Sequence, residues 1–144
     1  MSQPSQTIRD LALLLARLAL GIVFIAHGLQ KFLSWGIGGT ADSFGEMGIP
    51  LPGASAWIAA LVEVLGGVAL LVGIALPVAG VLLALTMLGA LVLAHLGTGF
   101  FVSNGGFEYV LVLAVAALGL GFNGGKYSLD RVFSVRSSGV GNSA

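Results

Sequence analysis

The chain has 144 residues, of which 57% are hydrophobic and only 8% are charged, and its formal net charge is zero. A water-soluble domain carries about 25% charged residues, so most of this chain is predicted to lie in lipid. Without a basic excess, no nucleic acid partner is expected. The absence of cysteine excludes disulfides, thiolate-held iron–sulfur clusters and a CxxC redox relay.

Long apolar segments predict an all-α, polytopic membrane protein, a four-transmembrane-helix bundle. A span needs about 20 mostly apolar residues, and the predicted spans lie near residues 11–33, 55–76, 77–96 and 106–123. Pro77 suits the first turn of a new helix, which places a tight turn between the second and third spans. Residues 34–53 are rich in Gly and Pro and predict an aqueous loop.

The basic residues outside the spans predict the orientation of the bundle. Arg9 precedes the first span, and Lys126, Arg131 and Arg136 follow the fourth. Both termini are therefore predicted to be cytoplasmic. The stretch "KYSLDRVF" is a candidate interfacial helix, and residues 134–144 are predicted to form a disordered cytoplasmic tail.

Glu63 and His27 are the candidate catalytic residues, because ionisable groups inside a span usually face the bundle interior. Glu63 shares its helix face with the small residues Ala56, Ala59, Ala60, Gly66 and Gly67. His27 lies at the same depth as Glu63, about 9 Å below the outer boundary. This depth predicts a His–Glu pair. Proton transfer is one interpretation of the pair, and helix packing is the other.

Arg17 and Lys31 share a face of the first span and are candidates for substrate binding. Arg17 lies about 10 Å from the cytoplasmic end. Its long stem can snorkel to the membrane surface, which is the alternative to a binding role. Lys31 lies close to the outer water, where solvation alone accounts for it.

The glycine-rich loop "HLGTGFFVSNGGFEYVLV", residues 95–112, has His95 near one end and Glu108 near the other. Asn104 suits a helix cap, and Glu108 complements the positive end of a helix dipole. The second interpretation places His95 and Glu108 with His27 and Glu63 around one outer pocket. Phe100, Phe101, Phe107 and Tyr109 are predicted to form the aromatic floor of this pocket. The candidate binding residues there are His95, Phe100, Asn104, Phe107, Glu108 and Tyr109. The two His and two Glu match no metal motif, such as HExxH, so no metal is expected.

The segments "RLALGIVFIAHGLQKF", "EVLGGVALLVG", "NGGFEYVLVLAVAALGLGF" and "GGKYSLD" occur in an order that resembles the DoxX family, over about residues 9–131. These are small four-helix membrane proteins of bacteria. The resemblance implies a four-helix transmembrane domain over residues 1–133 in the bacterial inner membrane. It also implies shared polar residues at Arg17, His27, Gly28, Lys31, Glu63, Asn104, Gly105, Glu108 and Tyr109.

The family resemblance also implies a link to quinone-dependent oxidoreductases and to membrane complexes that handle thiol or oxidative stress. One hypothesis is therefore a membrane component of a quinone-linked oxidoreductase, with quinone as the candidate ligand in an outer-leaflet pocket. The alternative is a non-catalytic scaffold or assembly subunit that recruits soluble redox or stress-response partners, as a monomer or a homo-oligomer. A small-solute transporter is disfavoured, because no broken inverted repeat is visible.

Overall fold

The structure is a computed structural model that describes residues 4–139. The six α-helices found there are α1 Gln6–Leu29, α2 Gly36–Glu46, α3 Pro52–Val72, α4 Leu76–Ala90, α5 Glu108–Phe122 and α6 Leu129–Gly139. A π-helical turn, Gln30–Ser34, extends α1, and a second one, Leu91–His95, extends α4. The described residues contain no β-strand.

Three helical segments are long and apolar enough to cross a membrane: Gln6–Ser34, Pro52–Val72 and Leu76–Thr98. Helix α5 is apolar but shorter, with 15 residues, which gives a rise of about 22 Å. Large apolar side chains such as Leu15, Leu65, Leu85 and Val115 are exposed along these helices, as they must be where lipid is the solvent. The predicted all-α membrane bundle is confirmed.

The helices pack as two tight pairs, α1 with α3 and α4 with α5. In the first pair the backbones almost touch, since a Cβ added to Gly67 would lie 2.8 Å from the carbonyl oxygen of Gly21. In the second pair a Cβ added to Gly80 would lie 2.7 Å from Cα of Gly121. Small residues allow this close approach between helices in lipid, where apolar burial alone gives little attraction.

This packing predicts different effects for two glycine-to-alanine changes. Gly67→Ala places its methyl group against the α1 backbone, so we expect it to lower the unfolding free energy by about 1–3 kcal/mol. Gly119→Ala is the matched control, because its added Cβ meets nothing within 4 Å. Thermal unfolding of both variants in the same detergent checks this. Equal midpoints would contradict the close α1–α3 contact.

Residues 34–53 form helix α2 and its flanking turns, so the prediction of a simple aqueous loop was wrong. Thr40 is buried, and its hydroxyl donates to the Gly36 carbonyl at 2.9 Å. Helix α2 packs against α3, and this tertiary contact offsets the low helix propensity of its glycines. Gly36 and Gly48 have φ values of 70° and 75° and allow sharp turns on either side of α2.

The second and third spans meet at a short turn, and the chain after α5 ends in a further helix. Pro77 lies in the first turn of α4, as predicted. Helix α6 begins at Leu129 and runs to Gly139, so it extends past residue 133 into the segment predicted as a disordered tail. Residues 140–144 lie outside the described residues.

Candidate functional site

A cavity of about 550 Å³ lies between the two helix pairs, and Phe44 of α2 and residues flanking that helix form part of its wall. This volume is within the range of sites for drug-sized ligands. Its wall is mainly apolar and includes Phe24, Trp35, Phe44 and Leu113. The polar side chains that line it are His27, Gln30, Lys31, Ser55, Glu63, Thr86, His95 and Tyr109. A few polar groups in an apolar wall are typical of a small-molecule site.

The Glu63 carboxylate forms an ion pair with Lys31, with 2.7 Å between Oε2 and Nζ. The exposed fractions of the two side chains are 4% for Glu63 and 11% for Lys31, so the pair is largely removed from solvent. The prediction that Glu63 points into the bundle is confirmed. Its partner was not foreseen: Lys31, expected to be merely solvated, takes the place predicted for His27.

His27 lies one helical turn before Lys31, and the Lys31 ammonium also donates to the His27 carbonyl at 3.4 Å. The His27 side chain is exposed, and its ring lies 6.1 Å from the ring of Tyr109 on α5. Helices α1 and α5 contact each other far less than the tight pairs do. His27 and Tyr109 therefore face each other across a loosely packed seam beside the cavity.

His95 holds the glycine-rich loop to the end of α4. Its Nδ1 lies 2.7 Å from the Gly105 carbonyl oxygen. The Thr98 hydroxyl lies 2.7 Å from the same oxygen and 2.8 Å from the His95 carbonyl. His95 also lines the cavity, so it connects the loop with the site.

Glu108 stabilises the same loop instead of lining the cavity. Its Oε1 accepts a hydrogen bond from the Val102 amide at 2.7 Å. Phe100 packs edge-on against both Phe101 and Phe107, so these rings form a cluster within the loop. The predicted aromatic floor of the cavity was wrong for Phe100, Phe101 and Phe107, because none of them lines the cavity. Its fourth predicted member, Tyr109, does line it.

Asn104 neither lines the cavity nor caps α5. It ends a 3₁₀ turn, Val102–Asn104, and the residue before Glu108 is Phe107, which provides no side-chain cap. The predicted cap was wrong because the chain makes a further turn between Asn104 and α5. A backbone carbonyl of the loop pairs with the first amide of α5 instead: the Glu108 amide donates to the Phe100 carbonyl at 2.9 Å.

Arg17 lies at the other end of the bundle, about 20 Å along α1 from Lys31. The side chain is 1% exposed and donates four hydrogen bonds to backbone carbonyls, of Leu70, Leu71, Gly124 and Tyr127. Two of these carbonyls belong to the last turn of α3, where the helix dipole favours a cation. Arg17 therefore neither snorkels nor lines the cavity: it joins α3 to the segment after α5.

Two acidic residues that were not singled out in the sequence complete this polar end. The Asp130 carboxylate accepts hydrogen bonds from the Ala75 and Leu76 amides at 2.8 and 2.9 Å, which caps the start of α4 from another helix. Asp10 is buried and accepts from the Lys126 amide at 3.0 Å. The signal that could have found Asp130 is its place in "GGKYSLD".

The polar groups of the cavity can bind a ligand by hydrogen bonds and exchange protons with it. Lys31 offers a donor and Glu63 an acceptor, and His27 and Tyr109 can do both. His95 has one ring nitrogen left beside the one that contacts Gly105. Gln30, Thr86 and the aromatic rings of Phe24, Trp35 and Phe44 also line the site, and the sequence had not identified them. An apolar wall with few charges favours a neutral ligand, because burial of an unpaired charge is costly.

Comparison with known proteins gives three relatives of this chain. A protein of Bacillus subtilis (strain 168) named "Putative oxidoreductase CatD" is 40% identical over 111 residues, which cover 77% of this chain and 79% of that protein. "Uncharacterized membrane protein Rv3486" of Mycobacterium tuberculosis is 33% identical over 136 residues, 87% of this chain and 83% of its own. "Inner membrane protein YphA" of Escherichia coli (strain K12) is 32% identical over 87 residues, 60% of this chain and 61% of its own.

No solved structure matches the chain. The family model described as DoxX matches residues 12–96, which include α1 from its second turn, α2, α3 and α4 with its π-helical turn. The matched part carries His27, Lys31, Glu63 and His95. The resemblance seen in the sequence is confirmed, and this chain is a membrane protein that belongs to the DoxX family.

Proposed function

We propose that this chain is the quinone-binding membrane component of an oxidoreductase system. The observation that carries the proposal is the apolar cavity of about 550 Å³ with the buried Lys31–Glu63 ion pair in its wall. A quinone is neutral, flat and lipid-soluble, and its carbonyl oxygens accept hydrogen bonds. Lys31 supplies a donor for one such oxygen.

The seam between α1 and α5 supports a lipid-soluble ligand. His27 and Tyr109 stand at this seam, both are exposed, and both line the cavity. A ligand dissolved in the bilayer can reach the cavity sideways between the two loosely packed helices. A water-soluble charged metabolite would have to leave water for a mainly apolar wall, which is unfavourable.

Reduction of one quinone to a hydroquinone takes up two electrons and two protons. The chain has no cysteine, so the electrons are supplied by a partner protein that carries a redox group. His27, Glu63 and Tyr109 can transfer these protons to the bound quinone, because side chains of these types act as general acids and bases. The name of the Bacillus subtilis relative, "Putative oxidoreductase CatD", supports the same class of function.

Binding of decylubiquinone to the purified protein tests the proposal. Trp35 lines the cavity and Trp57 does not, so in the Trp57→Phe background quenching of Trp35 fluorescence reports occupancy. We expect His27→Ala to raise the dissociation constant about tenfold by removing a hydrogen-bond donor to a quinone carbonyl. We expect a similar rise for Glu63→Gln, because it removes the charge that holds the Lys31 donor in the cavity wall.

Asp42→Asn is the control for these variants, because Asp42 is an exposed residue of α2 that does not line the cavity. Its dissociation constant is expected to equal that of the parent protein. The proposal would be defeated if the parent showed no saturable quenching. It would also be defeated if the Glu63 and His27 variants bound decylubiquinone as tightly as the parent.

A membrane scaffold for soluble partners is the second candidate function. The observation that favours it is helix α6, which leaves Val132, Phe133 and Val135 exposed at the end of the bundle. Purification in mild detergent followed by mass analysis separates the two candidates. A co-purified quinone favours the first, and a stoichiometric soluble protein without quinone favours the second.

We further propose that the chain lies in the bacterial inner membrane with both termini in the cytoplasm. Arg9, Lys126, Arg131 and Arg136 stand at the end of the bundle that carries Arg17, and the positive-inside rule puts that end in the cytoplasm. A periplasm-dependent reporter fused after Arg136 is expected to stay silent, and the same reporter inserted in the loop at Gly97 is expected to be active. The reverse pattern would overturn this orientation.

A further inference from the structure

The hydrogen bond from His95 to Gly105 fixes which of its ring nitrogens carries the proton. Nδ1 lies 2.7 Å from the Gly105 carbonyl oxygen, and a carbonyl oxygen can only accept, so Nδ1 is the donor. In the neutral imidazole the second nitrogen, Nε2, then has a free lone pair. His95 can therefore present a hydrogen-bond acceptor.

The structure leaves that acceptor free for a ligand. No group in the part of the chain that the structure describes hydrogen-bonds to His95 Nε2, and His95 is one of the residues that line the cavity. The ring cannot turn without breaking its bond to Gly105. Thr98, which contacts both the Gly105 and the His95 carbonyls, holds the same turn of the loop in place.

Lys31 and His95 thus offer opposite hydrogen-bonding groups from the two walls of the cavity. Lys31, on the π-helical turn after α1, is a donor that cannot accept. His95, on the π-helical turn after α4, is an acceptor through Nε2. A ligand that satisfies both walls has an oxygen that accepts at one end and a hydroxyl that donates at the other.

We propose that His95 Nε2 accepts a hydrogen bond from a phenol-type hydroxyl of the ligand, so that the cavity selects the reduced, hydroquinone form over the quinone. A hydroquinone oxygen accepts from Lys31 and the opposite hydroxyl donates to His95. A quinone has only acceptors, and its second carbonyl would place its lone pairs against that of Nε2. A site that hydrogen-bonds a hydroxyl disfavours an analogue without one, because the polar group of the site is then left without its partner. This inference rests on the proposed quinone site.

The test compares the two redox forms of one ring, duroquinone and durohydroquinone, under anaerobic conditions on the full-length protein in detergent. For the parent we expect the hydroquinone to bind about tenfold more tightly. His95→Asn keeps a donor at the position of Nδ1 and removes the acceptor. We expect it to weaken hydroquinone binding about tenfold, to change quinone binding little, and so to abolish the preference.

His95→Gln separates ligand binding from a purely structural role. Its amide oxygen can occupy the position of Nε2, but it loses the bond to Gly105, so we expect the preference for the hydroquinone to be retained and the loop to be less stable. If His95 only anchors the loop, the outcome reverses: the Asn variant binds both forms as the parent does, and the Gln variant weakens both.

The outcomes also separate this inference from the proposed function. Equal affinity for both forms in the parent, or an unchanged preference in His95→Asn, would overturn the role of His95 and leave the quinone site standing. Absence of binding of either form to the parent would overturn both. Thermal unfolding of each variant shows whether a lost affinity comes from a lost fold.

Discussion

Arg17→Met is expected to be the most destabilising single substitution in the chain, with a loss of about 3–5 kcal/mol of unfolding free energy. The Arg17 side chain is 1% exposed and donates to four carbonyls. Methionine fills a similar length but leaves these carbonyl acceptors without their donor, and each loss costs free energy. Thermal or denaturant unfolding in a mild detergent measures the loss.

Arg9→Met is the matched control for this prediction, because Arg9 is an exposed residue of the same helix. It removes the same charge without removing a buried hydrogen bond, so its stability is expected to stay within about 0.5 kcal/mol of the parent. Arg17→Lys keeps the charge but not the planar set of donors, and is expected to fall between the two. If Arg17→Met and Arg9→Met had similar stability, the hydrogen bonds of Arg17 to α3 and to the segment after α5 would not stabilise the fold.

Lys31→Met is expected to have the second-largest effect. It leaves the Glu63 carboxylate, 4% exposed, without the cation that lies 2.7 Å away. Removal of one partner of a buried ion pair costs about 3–5 kcal/mol, because the other charge stays behind unpaired. The double variant Lys31→Met, Glu63→Leu removes both charges and is expected to regain most of the lost stability.

The four proteins of this double-mutant cycle also measure the role of the pair in binding. The double variant is expected to fold with nearly the stability of the parent and yet to bind decylubiquinone more weakly, because both polar groups are gone from the cavity wall. Additive effects of the two single changes on stability would contradict a direct Lys31–Glu63 interaction. A double variant that binds quinone as well as the parent would show that the pair serves packing alone.

The sequence by itself determined the fold class, the approximate spans and the inward face of the second membrane span. Lipid requires long apolar helices with paired backbone groups, so the spans can be recognised from composition. The small residues around Glu63 marked the face of α3 that approaches α1 and α4, and Gly66 and Gly67 do lie there. Pro77 marked the start of α4, because proline fits the first turn of a helix.

Only the tertiary structure decided which polar groups meet. Helical periodicity gives the face of a residue and its depth, but not the neighbouring helix, the length of the side chain that reaches across, or the local winding. Lys31 therefore replaced His27 as the partner of Glu63, and Arg17 became an anchor for carbonyls distant in sequence. The cavity wall from α2 was missed for the same reason: that helix is stabilised by its contact with α3, and glycine-rich residues alone would not form it.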